Sequence, residues 1–234
     1  MVNTNDTDLA ARTLETRLRK TFTVEALCQS GAVLYCTRDL LHSSSLLIFG
    51  TNPGGTPSEL SGPEFSIGKR LFSKHHELTI GWKTDGSFTP LQVRLRFLLQ
   101  NLLGIKDVET VPYTNLVFMR TRDTKSLDWN LAHQCWKVNA LIFDITRPVL
   151  TITVGNGLHN SPYAFLNGKL RGVQHQEVHS GYGHYKLRYF VGEFNGRKLC
   201  VIGLPHFSRY QIMKYPASQN WIVDRAREAG VLIN

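Results

Sequence analysis

The sequence predicts an α/β protein: three α/β/α layers around a central, mostly parallel four-stranded sheet, with a hairpin or loop insertion. Three observations predict it. The continuous apolar runs Leu46–Phe49 and Val149–Val154 suit parallel strands covered on both faces. Each ends abruptly in a loop rich in Gly and Asn, and between them lie segments with apolar residues at helical spacing. The chain has 234 residues, 42% hydrophobic and 19% charged, enough to bury one core without staples. We read 1–234 as one domain, with 1–40 a helical N-terminal extension and 158–198 an insertion.

Taken in order, Leu9, Leu14 and Leu18 predict a short surface helix, and the chain from Thr23 to Leu41 continues as helix and connection. The first strand, from Leu46, runs into Gly50-Thr51-Asn52-Pro53-Gly54-Gly55, and a polar loop follows to about Thr89. Thr89-Pro90 opens a helix, with Thr as cap and Pro in the first turn. Leu91, Leu95, Leu98, Leu99 and Leu102 give its face and Gly104 its end. A second strand is expected near Thr114 to Phe118. A second helix should start at a Ser126 or Asp128 cap and run to about Thr146, stopped by Pro148. The third strand ends in Gly155-Asn156-Gly157, and Ser161 to Gly183 reads as loop. Runs at Leu187–Phe194 and Leu199–Leu204 flank Asn195-Gly196, a strong hairpin signal. The second run feeds Pro205-His206-Phe207-Ser208-Arg209-Tyr210, and a last helix spans about Ser218 to Ala229, before Gly230.

The charge balance is 27 Lys and Arg against 18 Asp and Glu, a net +9, which favours a polyanionic partner such as nucleic acid. Cys28, Cys36, Cys135 and Cys200 form no C-x-x-C pair, which excludes the zinc and redox signatures and points to reduced thiols. No apolar run reaches the length of a signal peptide core or a membrane span. A cytoplasmic protein with no membrane partner is the expectation. His175-Gln176-Glu177-Val178-His179 is not H-E-x-x-H, and Gly50 to Gly55 lacks both the G-K-S/T end of a P-loop and the G-x-G-x-x-G of a dinucleotide fold. Neither metal nor small-molecule cofactor is expected.

In a parallel sheet the strand ends gather on one edge. That rule would bring Asn52, Asn115, Asn156 and His206 together, although an Asn in a turn more often serves turn geometry. The segments around these residues carry a resemblance. Phe49-Gly50-Thr51-Asn52-Pro53-Gly54 resembles the first motif of the uracil-DNA glycosylase superfamily, in the G-x-N-P-G form of the mismatch-specific and single-strand-selective branches. Gly62-Pro63-Glu64-Phe65 is similar to the segment that supplies those enzymes' base-stacking Phe, and Tyr113-Thr114-Asn115-Leu116-Val117 to their strand-end Asn. Thr153-Val154-Gly155-Asn156 resembles the third strand and its exit. Gly203-Leu204-Pro205-His206-Phe207-Ser208-Arg209 resembles the second motif, H-P-S-x, with Phe207 where Pro is usual.

The resemblance, from about Leu46 to Arg227, implies a monomeric, monofunctional DNA glycosylase that flips a base, hydrolyses its N-glycosidic bond and leaves an abasic site. It implies that His206 donates to the departing base and that Asn52 positions the attacking water. Gly50, Thr51, Pro53, Gly54, Phe65 and Asn115 would surround the base, and Ser208, Arg209, Tyr210 and Lys214 would meet the DNA. Phe65 reads equally well as a core residue. Gly54-Gly55 stands where the uracil-specific branch walls off C5 with an aromatic ring, so uracil or a larger C5-modified pyrimidine would fit, such as a modified cytosine of phage DNA. That substrate would make the chain a defence enzyme rather than a repair enzyme. The segment Ser161–Tyr189, with His175, His179, Tyr182, His184 and Tyr185, is expected to line the pocket or the DNA channel. Two other classes compete: a glycosylase-like module that binds DNA without cutting, which Phe207 would favour, and a nucleoside hydrolase, which the charge disfavours.

Overall fold

A computed structural model describes residues 4–55, 62–72, 78–79, 81–83, 85–124 and 126–231. The polar loop expected up to Thr89 lies partly outside the described residues.

The chain is a mixed α/β protein. Among the described residues its sheet is mixed, with a mostly parallel core, and holds seven strands rather than the expected four, in the order β1-β3-β2-β4-β7-β6-β5. The strands are β1 (Leu34–Tyr35), β2 (Leu46–Gly50), β3 (Tyr113–Asn115), β4 (Leu150–Val154), β5 (Val173–His179), β6 (Lys186–Phe194) and β7 (Arg197–Leu204). β4 and β7 pair in parallel, while β7-β6-β5 form an antiparallel run and β1 pairs antiparallel with β3. The three additional strands have a simple cause. β1 is two residues long, and β5 is polar and exposed, so neither carries an apolar signature. The predicted hairpin continues the sheet on β7 instead of standing apart from it.

Among the described residues the α-helices are α1 (Thr4–Thr21), α2 (Val24–Leu27), α3 (Pro90–Phe97), α4 (Asn130–Thr146), α5 (Pro162–Leu170) and α6 (Pro216–Glu228). Capping chemistry sets several starts. Thr89 and Gln92 form a capping box on α3, followed by a π-helical turn at Leu98–Leu102. The Asp128 carboxylate accepts from the Asn130 amide where α4 begins. Ser161 accepts from the Ala164 amide, with Pro162 in the first turn of α5. α1 buries Ala11, Leu14 and Leu18, while Leu9 is 66% exposed. The inward stripe is therefore 7, 11, 14 and 18, at i+3 and i+4 spacing.

Two compact groups of residues organise the core. One comprises Met1–Ser44, Phe49–His76 and Pro112–Arg147. In it α1 packs on α4, and Phe49 meets Phe143 edge to face at 5.7 Å. The other comprises Ser45–Ile48, Glu77–Val111 and Pro148–Asn234. Its centre is β4, β7 and β6, with α5 packed on β4, β6 and β7. Tyr163 of α5 lies 5.2 Å from Phe190, edge to face. A Cβ at Gly203 would sit 2.5 Å from the Tyr163 ring, so β7 needs a glycine there.

Asn195 (φ 50°) and Gly196 (φ 75°) both lie in the left-handed region, as a two-residue type I′ turn requires. A Cβ at Gly196 meets no atom within 4 Å, so Gly196→Ala tests backbone conformation alone. It should cost about 1–2 kcal/mol, read as a lower urea midpoint with an unchanged denaturant slope.

Candidate functional site

The first group positions Gly50, Thr51, Asn52, Pro53, Gly54, Phe65 and Asn115. The ends of β2 and β3 come into close contact. The Leu116 and Val117 amides donate to the carbonyls of Gly50 and Thr51, both at 2.9 Å. A Cβ at Gly50 would lie 2.3 Å from Asn115 Oδ1 and 2.6 Å from the Tyr113 hydroxyl. Only a residue without a side chain allows this approach.

Asn115 is fully buried, and neither its Nδ2 nor its Oδ1 has a hydrogen-bond partner among the described residues. The surrounding polar groups are all matched to one another. Asn139 of α4 donates from Nδ2 to the Asn115 carbonyl at 2.9 Å, and the Thr114 hydroxyl lies 2.7 Å from the Val33 carbonyl and 3.0 Å from Asn139 Oδ1. An unpaired buried amide costs about 1–3 kcal/mol, so the Asn115 side chain is retained against stability. Sequence reasoning passed over Asn139, whose only signal was a polar residue on the buried face of α4.

Asn52 is half-buried. Its Nδ2 donates to the Thr121 hydroxyl at 2.9 Å and to the Pro53 carbonyl at 3.0 Å. A carbonyl accepts only, so this end of the amide is the NH2 group. Oδ1 therefore points the other way and keeps its acceptor capacity. Thr51 and Pro53 are buried, Gly54 and Gly55 are exposed, and a Cβ at Gly54 would meet nothing within 4 Å. Phe65 is half-buried and outside the core, with the Arg70 guanidinium 5.9 Å from its ring centre.

The second group positions His206, Ser208, Arg209, Tyr210 and Lys214. Arg94 of α3 donates to the Phe207 carbonyl, and the Arg209 and Tyr210 amides both donate to the His206 carbonyl. Phe207 is fully buried. The Ser208 amide donates to His206 Nδ1 at 3.3 Å, with the Ser208 hydroxyl 2.8 Å from the same nitrogen. A peptide N–H can only donate, so Nδ1 is the acceptor and the proton sits on Nε2. Burial of the ring among protein atoms, and then the neighbouring Arg209 charge, lower the His206 pKa from its ordinary 6.5. The residue as a whole is nevertheless exposed to solvent. At neutral pH His206 is thus a neutral Nε2–H donor.

Two expectations are corrected here. Tyr210 was expected to touch DNA, but it is fully buried and its hydroxyl donates to the Ser180 carbonyl at 3.2 Å. It is a scaffold residue and offers no surface. Asn156 donates from Nδ2 to the carbonyls of Lys186 (2.6 Å) and Gly203 (2.9 Å), so its amide ties β6 to β7. By contrast Ser208, Arg209 and Lys214 are exposed. Arg94 was the positioning residue that the sequence did not reveal, since its partner lies 113 positions away.

Among the described residues no group of His, Cys, Asp and Glu is placed to hold a metal ion. His175 and His179 bond instead to the carbonyls of Gly172 (2.9 Å) and Gly183 (2.7 Å). Among the same residues, no helix is long and apolar enough to cross a membrane. No protein-family model and no curated protein sequence matches the chain, so the geometry itself carries the functional reading.

Two outcomes are expected. In a proton NMR titration His206 should titrate below 6.5, and Arg209→Gln should move it upward. A native pKa below the unfolded one disfavours the protonated native state. The His206 contribution to stability is therefore complete above about pH 6.5 and erodes as pH falls toward the native value. Asn139→Leu should cost about 1–3 kcal/mol in urea unfolding, because it removes the donor to the Asn115 carbonyl.

Proposed function

We propose that the chain is a monofunctional DNA glycosylase that hydrolyses the N-glycosidic bond of a flipped pyrimidine. The observation that carries this reading is the Asn115 side chain: a sealed amide whose two N–H donors and two acceptor lone pairs meet no partner among the described residues. A nucleobase edge offers the complementary acceptor and donor side by side, whereas an anion would satisfy only the NH2 end. Asn115 is fully buried, so its cover has to move for a base to reach it.

In this reading each group of residues has its own part in the chemistry. As the C1′–N1 bond breaks, its electron pair passes to the base and negative charge gathers on O2. A neutral Nε2–H of His206 supports that charge without giving up its proton. Positive charge on the sugar draws in a water, which Asn52 Oδ1 orients toward C1′, and the water's proton leaves to solvent. The cation-like sugar needs little help from a base, so an amide suffices. The exposed, side-chain-free Gly54 and Gly55 leave the C5 side open, which supports a pyrimidine as large as a C5-modified cytosine among the substrates.

An abasic-site assay on DNAs holding uracil, mismatched thymine, hydroxymethylcytosine or glucosylated cytosine tests this directly. Release from at least one DNA is expected, slowed about tenfold or more by His206→Ala and by Asn52→Ala. The rate should stay flat on acidification through pH 6.5 and fall only below it, because protonating Nδ1 sets a second donor against the Ser208 amide. Unchanged rates in both variants would remove the assignment. Binding without release from any DNA would leave a recognition module.

A further inference from the structure

An aromatic ladder leads from the His206 loop to the surface of the second group of residues. Phe207 stacks on Tyr210 (6.5 Å, 24°) and Tyr210 on Tyr215 (5.6 Å, 8°). Tyr215 meets Tyr182 at 6.2 Å, Tyr182 stacks on Tyr185 (5.6 Å, 2°), and Tyr185 stacks on His184 (4.9 Å, 21°). Burial falls along the ladder. Phe207 and Tyr210 are sealed, Tyr215 and Tyr185 are half-buried, and Tyr182 and His184 are exposed.

The outer rings are held firmly. Ser180 is fully buried, and its carbonyl accepts from the Tyr210 and Ser218 hydroxyls at 3.2 and 2.9 Å. The Ser180 amide donates to the Tyr185 carbonyl and the Tyr185 amide to the Tyr182 carbonyl. The Gly181 amide donates to His179 Nδ1. A Cβ at Gly181 would lie 2.6 Å from the Tyr215 ring, and its φ of 79° also favours glycine. A loop this constrained pays little ordering entropy when something stacks on it.

Two cations adjoin ring residues in the sequence. Lys214 precedes Tyr215 and Arg209 precedes Tyr210, both exposed. From Lys214 the surface continues into a groove lined by Lys83, Phe88, Val93, Arg94 and Met213, with no carboxylate among its described lining residues.

We propose that Tyr182, Tyr185, His184 and Tyr215 form a stacking platform for unpaired bases of single-stranded DNA, with Lys214 and Arg209 receiving the adjacent phosphates. The choice of DNA as the polymer rests on the proposed glycosylase chemistry. The preference for a single strand rests on the rings. Bases in a duplex already stack on one another and show only their edges, whereas an exposed flat ring recruits a free base face regardless of sequence.

The test is fluorescence anisotropy with a labelled oligothymidylate of about twelve nucleotides, its duplex, and a sugar–phosphate strand lacking bases. It is run on the full chain carrying His206→Ala, so that any chemistry is slowed during the measurement. The single strand should bind more tightly than the duplex. Tyr182→Ala should weaken strand binding about tenfold, Tyr182→Trp should retain it, and Tyr182→Leu should behave as Ala. The baseless strand should bind equally to all of these variants. Equal strand binding by Tyr182→Ala and the parent, full binding by Tyr182→Leu, or tighter binding of the duplex would each overturn the platform. Tyr182 is exposed, and unchanged melting of each variant verifies folding. If the chain releases no base but strand binding depends on Tyr182, the platform stands and the glycosylase reading falls. If it releases base and strand binding ignores Tyr182, the platform alone falls.

Discussion

At Gly50 the exits of β2 and β3 approach so closely that the chain has room for a hydrogen atom and nothing larger. That constraint fixes the character of the first group of residues. It seals the Asn115 amide against a backbone, where water cannot satisfy it, while Asn139 takes up the Asn115 carbonyl and leaves the side chain unserved. An apolar residue of similar size would be the more stable choice in such a place. Retaining an amide there costs stability that packing alone would not give up. The same close approach explains why position 50 holds a glycine, independently of any phosphate or nucleotide.

A second constraint governs the His206 loop. The Ser208 amide can only donate, so it selects the tautomer, and Arg209 opposes the imidazolium. One cation thus does two compatible things. It keeps His206 neutral, and its positive potential favours an anion arriving near the ring. A charged imidazolium would be the stronger donor. It would also have to surrender its bond from Ser208, loosening the turn that aims it. Arg94 and the buried Phe207 hold that turn from below, so the donor's direction is set by packing as well as by its own hydrogen bonds.

The sequence made legible those elements whose cause is local. Continuous apolar runs announced β2 and β4, Asn195-Gly196 announced the hairpin, and Thr89-Pro90 announced α3. What stayed hidden had nonlocal causes. β5 is an exposed polar strand that exists because β6 offers it an edge, and β1 is a two-residue pairing with β3. The Ser161-Pro162 start of α5 was readable as a cap, yet the glycine-rich surroundings masked it. For the site, the strand-exit rule marked Asn52, Asn115, Asn156 and His206 alike. The rule could not tell the others from Asn156, whose amide is consumed by the carbonyls of β6 and β7. Nor could it foresee Tyr210 as a buried post, since its partner Ser180 lies 30 residues away.

Phe207, the one departure from the second motif that the chain resembles, finds its reason in the ladder. A proline there would fix the turn by its ring constraint alone. Phe207 fixes it by burial and by stacking on Tyr210, and thereby gives the turn a lateral partner that a proline could not offer. Tyr210 passes that contact to Tyr215, and its hydroxyl grips the same Ser180 carbonyl that anchors the exposed loop. Burial raises the pKa of that hydroxyl, so it remains a donor well into the alkaline range. The turn that carries His206 and the loop that presents Tyr182 are therefore one packed aromatic body. Substituting the proline would remove the innermost ring of that body while leaving His206 and Ser208 in the sequence. What the departure changes is therefore the support beneath the histidine, from a ring constraint to a packed aromatic contact.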